Sequence, residues 1–325
     1  MTKNFKFNFI KNEFYPKSRN GAAIWKVDER YLYLFGGSEN ENIYNDFLKY
    51  DIIKNKWDYI KFSTTDDVPE PRFGSIHFLY LNKLCLISGF SKDNQTYNDF
   101  WMFNLNSKKW HKIDDFPLNS LMGAYSSYWL KDNILYYTGG VIIKNKILTS
   151  NDKLMSYNIN TNKIECISDH IMIPKFSSNF WKIKIKDTEY LYLLDGLSFE
   201  NNNEVKQIKD FSRFNLKTKK WEKLDIMNNK YKPRNSSLLW ELDGLVYLLG
   251  GINKDNYIFN ELWEFNPVKN NFNKINLEDM ITSRSDSALW KIDNEIFILG
   301  GLGEEYHIND FWKLKITNKY KFCCF

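Results

Sequence analysis

Hydrophobic and polar positions alternate along this chain in short runs, and the runs come in sets of four. Between Arg19 and Ile60 an alternating segment (Ala22 to Val27) turns at Asp28-Glu29 into an apolar run, Tyr31 to Phe35, which stops at Gly36-Gly37. A third run covers Asp46 to Ile52 and, after Lys54-Asn55-Lys56, a fourth begins at Trp57. Short runs rich in aromatic and β-branched residues, bounded by Gly, Asn, Asp or Lys, predict four antiparallel strands with short loops, denoted a to d. One such sheet cannot cover both of its faces, so the pattern predicts further copies stacked against it.

The copies are present. The position of Gly36 recurs at Gly89, Gly139, Asp195, Gly250 and Gly300, and Asn45-Asp46 ahead of strand c recurs at Asn98-Asp99, Asn151-Asp152, Lys209-Asp210, Asn260-Glu261 and Asn309-Asp310. The leading Arg19 is matched by Arg72, Met122, Lys175, Arg234 and Arg284, and Trp57 by Trp110, Ile164, Trp221, Phe272 and Tyr320. Repeats at 19–60, 72–113, 122–167, 175–224, 234–275 and 284–325 fill nearly the whole of these 325 residues, and a single domain is expected.

An Arg at the head, a Gly-Gly pair after a hydrophobic strand, an aromatic residue in strand c and a Trp in strand d resemble the kelch repeat. The resemblance implies an all-β fold: a six-bladed kelch-type β-propeller with four antiparallel strands per blade. Copies three and four depart from the motif, with Met122 and Ile164 in one and Lys175 and Asp195-Gly196 in the other.

Small residues open each strand a (Gly21-Ala22-Ala23, Gly74-Ser75, Gly123-Ala124, Ser177-Ser178, Ser236-Ser237, Asp286-Ser287-Ala288), as expected of innermost strands crowded about an axis. Six residues past each head lies an aromatic, at Trp25, Phe78, Tyr128, Trp181, Trp240 and Trp290, which predicts a ring of core side chains. Lys6-Phe7-Asn8-Phe9-Ile10 matches Lys56-Trp57-Asp58-Tyr59-Ile60, so Phe5 to Ile10 is expected to close the ring on the outer edge of blade six.

Alternating strand directions place a–b and c–d turns on one face and b–c and d–a loops on the other. The first face is expected to hold tight turns such as Asp132-Asn133 and Asp293-Asn294, with an extension at Lys184 to Thr188. The second carries the longer segments Ser38 to Ile43, Thr64 to Pro71, Val141 to Ser150 and Leu197 to Lys209. Function concentrates on loops held by a rigid scaffold, so this face is the candidate surface. Tyr44, Tyr97, Tyr257 and Tyr306 recur there, beside Glu304, Glu305 and His307, and are the candidate partner-binding residues. Packing beneath the loops is the competing explanation for the tyrosines.

Composition narrows the function. The net charge is only +5, and the lysines of KNKW (54–57), SKKW (107–110) and TKKW (218–221) are spread around the rim, where they guard edge strands; nucleic-acid binding is disfavoured. Cys85, Cys166, Cys323 and Cys324 form no disulfide framework, which suits a reduced, cytoplasmic protein. No apolar run is long enough to span a bilayer. His77, His111, His170 and His307 stand in unlike positions with no zinc-site spacing, and Asp66, Asp67 and Glu70 with His77 read as a charged loop. Gly300-Gly301-Leu302-Gly303 lacks the Lys and helix start of a phosphate loop. No catalytic residue, metal or cofactor is assigned.

These readings favour a non-catalytic scaffold that binds a protein partner, cytoskeletal or part of a multi-subunit assembly, through the b–c loop face. The alternative is a mutarotase-like, carbohydrate-modifying or metal-dependent enzyme with a site at the central channel.

Overall fold

A computed structural model of the chain describes residues 2–93, 95–117, 121–144, 147–168, 173–199, 204–226 and 230–319. His170, Tyr320, Phe322, Cys323 and Cys324 lie outside the described residues. Six four-stranded antiparallel sheets form the blades of a propeller. Blade one consists of Ala23–Lys26, Tyr31–Phe35, Phe47–Asp51 and Lys56–Tyr59. Blade six is assembled from Ala288–Ile292, Glu295–Leu299, Phe311–Lys319 and, as its outer strand, Thr2–Phe9. The predicted closure by the N-terminal segment is therefore present, with Phe5 opposite Ile316 and Phe7 opposite Leu314.

Burial follows strand position. Strand a of blade one alternates between buried and half-buried residues, strand b (YLYLF) is buried on both faces past its first residue, and strand d (KWDY) buries Trp57 alone. Middle strands contact the neighbouring blade on each side, while the outer strand keeps one face in water. Six apolar clusters result, each shared by two adjacent blades and together closing the circle.

The turns show why short polar connections suffice. The a–b hairpins of blades two to six are two-residue turns, as at Asp132-Asn133 between the paired Lys131 and Ile134, whereas blade one turns through Asp28, Glu29 and Arg30. The expected extension at Lys184 to Thr188 is instead two longer strands ending in the same kind of turn, with Ile185 opposite Thr188. At the c–d turns, Asp51, Asn104, Asn158, Asn215 and Asn266 each accept two backbone N–H groups from the residues that follow, which replaces ladder bonds lost at the bend.

Two alignments are corrected by the hydrogen bonds. Ser88, rather than Gly89, is the equivalent of Gly36, because its N–H meets the Asp99 carbonyl as that of Gly36 meets Asp46. In blade three, Trp129 pairs with Tyr136 as Trp25 pairs with Tyr33, so Trp129 takes the core position expected for Tyr128. One additional residue after Met122 shifts the phase of strand a there.

Candidate functional site

The b–c and d–a segments lie together on one face, joined by backbone bridges Asn20–Ser38, Phe73–Phe90, Phe176–Leu197, Asn235–Ile252 and Ser285–Leu302. Beneath them sit the head arginines. Arg19 donates through Nη1 to the Gly36 carbonyl (2.8 Å) and Asp46 Oδ1 (2.6 Å), through Nη2 to Asp46 Oδ2 (2.8 Å) and through Nε to the Lys17 carbonyl (2.9 Å). Arg72 and Arg284 repeat the fork on Asp99 and Asp310, and Arg234 reaches Glu261. All four are buried, and paired charges with satisfied donors are what burial of a guanidinium requires.

The departures in blade four are compensated. Lys175 pairs with Asp210 at 2.7 Å, both side chains 2% exposed. Asp195, at the place of Gly36, accepts the Tyr231 hydroxyl (2.9 Å) and the Arg234 N–H (3.2 Å) and thereby ties blade four to blade five. Burial raises the Asp195 carboxyl to about 7, against the opposing pull of Tyr231, Arg234 and Lys175.

The tyrosines separate into two kinds. Tyr44 and Tyr97 cover the buried guanidiniums, with Arg19 4.5 Å and Arg72 4.1 Å from the ring centroids. The Tyr44 hydroxyl donates to Glu39, which Ser18 also engages, and the Tyr97 hydroxyl donates to the Pro71 carbonyl. In blade five this place is taken by Phe259, 3.7 Å from Arg234, not by Tyr257. Tyr257 and Tyr306 stand outside, 59% and 66% exposed. Glu305 is also exposed, Glu304 accepts from Ser283, and half-buried His307 contacts Asn20 Oδ1 at 3.2 Å. Burial holds His307 below its ordinary value, with Glu39 opposing. The seven candidates thus occupy four consecutive blades: five, six, one and two.

At the centre of the face the six strand-a entries form a closed backbone ring. Gly21 N–H donates to Asp286, Asp286 to Ser236, Ser236 to Ser177, Ser177 to Tyr125, Tyr125 to Gly74 and Gly74 to Gly21. All six have positive φ, which turns each amide along the ring. The Tyr125 side chain then lies across the mouth, its hydroxyl 2.9 Å from Asp286 Oδ2 on the opposite blade, where Asn20 Nδ2 also donates (3.0 Å). Burial lifts Asp286 to about 6, despite these donors. Phe73 and Phe90 flank the bar, and Phe176 stacks on Phe199 nearby in the chain order.

Comparison with known proteins agrees with this architecture. The family model described as the KLHDC2/KLHL20/DRC7 Kelch-repeats domain matches residues 6–196 and 180–321. The chain belongs to the kelch-repeat family. Kelch domains mediate protein interactions. A RING finger domain and kelch repeat-containing protein of Dictyostelium discoideum is 22% identical over 254 residues, covering 73% of this chain and 22% of that protein. The chain thus spans about a fifth of the length of that curated relative.

The kelch motif does not disclose the bar or the aromatics around it. Tyr125 is out of phase by one residue, and Asp286 sits in a run otherwise read as small. A signal was available for Phe73 and Phe176: both follow a head residue, where other blades carry Asn20, Asn235 and Ser285. The long b–c segments of blades three and four proved to be hairpins, Ile134–Lys144 with Ile147–Asn158 and Leu197–Phe199 with Val205–Gln207, and Ile147 and Val205 are exposed near their ends. His77 lies in the channel wall rather than beside Asp66, and among the described residues no group of three His, Cys, Asp or Glu could hold a metal. No helix among the described residues is long and apolar enough to cross a membrane.

Proposed function

We propose that this kelch propeller is a non-catalytic scaffold whose b–c loop face docks a partner protein, a cytoskeletal protein or a subunit of a larger assembly in the cytoplasm. The observation that carries the reading is that exposed Tyr257 and Tyr306 share the b–c loop face with half-buried Phe73 and Phe90 beside the axis. Aromatic side chains of this kind supply large contact area at low entropic cost and are enriched in interface cores. Tyr257, Glu304, Glu305, Tyr306 and His307 act as direct contacts, whereas Tyr44 and Tyr97 shape the face by holding the head arginines.

The test is retention of a partner from native lysate by tagged wild type and by the Glu304/Glu305/Tyr306 triple alanine variant. Loss of a stoichiometric partner, with an unchanged melting temperature, is expected. Full retention by the variant would overturn the choice of face.

A further inference from the structure

Below the Tyr125 bar the strand-a residues enclose a chamber of about 350 Å³. Its next layer contains one side chain from each blade: Ile24, His77, Tyr128, Phe180, Leu239 and Leu289, all half-buried. Blades three apart in a six-membered ring face each other, so His77 and Tyr128 look across the lumen at Leu239 and Leu289. One wall is polar and aromatic, the other aliphatic.

The polar wall has defined chemistry. His77 Nδ1 lies 3.0 Å from the Ser75 carbonyl, which can only accept, so Nδ1 carries the proton and Nε2 the lone pair. Burial holds the imidazole neutral, down at about 4. Tyr128 packs edge-on against it at 5.7 Å and also touches Phe180 at 5.3 Å, which orients the phenol within the wall. Four of the serine hydroxyls lining the channel are turned back to carbonyls of their own blades: Ser75 to Ser88, Ser126 to Gly139, Ser237 to Gly250 and Ser287 to Gly300. They leave the lumen less polar than its composition suggests. The carboxylate of Asp286 is engaged by Tyr125 and Asn20 at the barred end.

We propose that this chamber binds a small neutral molecule, largely apolar, which places a hydrogen-bond donor and an acceptor against His77 and Tyr128 and an aromatic or aliphatic body against Leu239 and Leu289. Primary aryl amides and phenols have this chemistry. The volume is at the lower end of the roughly 300–1,000 Å³ typical of ligand pockets, so a single ring with its substituent fits and an oligosaccharide does not. An anionic ligand is disfavoured because the lumen's imidazole is uncharged and its carboxylate repels negative charge; a carboxylate entering it would be desolvated without a partner. The site lies beneath the bar and is independent of protein docking on the loops above it.

The probe is benzamide, titrated into the full chain and followed by ligand-observed NMR and by tryptophan fluorescence. Saturable binding is expected, weakened at least tenfold in His77→Phe and abolished in Leu239→Trp, which fills the chamber. Leu289→Phe is a milder filler should Leu239→Trp fail to fold, and is expected to weaken binding in the same direction. Benzoate should bind at least tenfold more weakly than benzamide. Absence of saturation by wild type, undiminished binding by a folded filler variant, or benzoate binding equal to benzamide would each overturn the proposal.

Discussion

The hydroxyl of Tyr125 in blade three donates to Asp286 Oδ2 in blade six at 2.9 Å, so two opposite blades are linked across the axis. The Asp286 carboxyl sits at about 6, against an ordinary value of 3.8, because burial disfavours its charge. The folded state therefore holds a proton that the unfolded state has released. Stability from this group is complete below pH 3.8, falls as pH rises to about 6, and is then lower by about 3 kcal/mol. Asp286→Asn should remove that decline and be the more stable form at pH 8. Urea unfolding of both proteins from pH 4 to 8 decides it: parallel profiles would refute the assignment.

The arginine clamps predict a graded series. Arg72→Ala leaves Asp99 without its guanidinium and should cost about 3–5 kcal/mol. Arg72→Lys should fall between, since Lys175 shows that an ammonium can occupy this position but makes one contact with its carboxylate instead of a fork. Chemical denaturation gives the order, and a lysine variant as stable as wild type would show that the fork is dispensable.

The two kinds of tyrosine should behave oppositely. Tyr97→Ala uncovers Arg72 and should destabilise by about 1 kcal/mol or more. Tyr257→Ala and Tyr306→Ala should stay within about 0.5 kcal/mol of wild type while weakening partner retention. Melting temperature and pull-down measured on the same preparations separate the two roles.

Removing residues 2–9 takes away the outer strand of blade six together with Phe5 and Phe7, which pack on the cluster between blades five and six. Each side chain contributes on the order of 1.5–3 kcal/mol when fully buried, less here because both are half-buried. The deletion should lower the melting temperature and leave Phe311–Lys319 as an unpaired edge that promotes association. Thermal unfolding and size-exclusion chromatography report the two effects, and a deleted protein that melts and elutes like wild type would contradict them.

What could be read from the chain was what repeats. Strand order, blade number, the core tryptophans and the closing strand all follow from spacing, because each blade meets the same physical demands. The misreadings occur where one residue shifts the phase, at Ser88 and at Trp129. The bar was illegible for a different reason: Tyr125 and Asp286 are 161 positions apart, and no local pattern records that two unlike residues meet across an axis. The division of the tyrosines was equally hidden, since Tyr44 and Tyr257 differ by only two positions relative to the acidic residue that follows, Asp46 in one case and Glu261 in the other.

The closing strand has a consequence in time. Thr2–Phe9 is synthesised ahead of all the other strands of the propeller's six blades, and its partner Phe311–Lys319 follows only after five blades have been made. At about 5–20 residues per second the interval is on the order of 15–60 s. Throughout it an amphipathic strand, with Phe5 and Phe7 on one side and Asn4 and Lys6 on the other, has no sheet to join. Five blades can assemble while it waits, and the propeller strand made ahead of the others is the one that docks last.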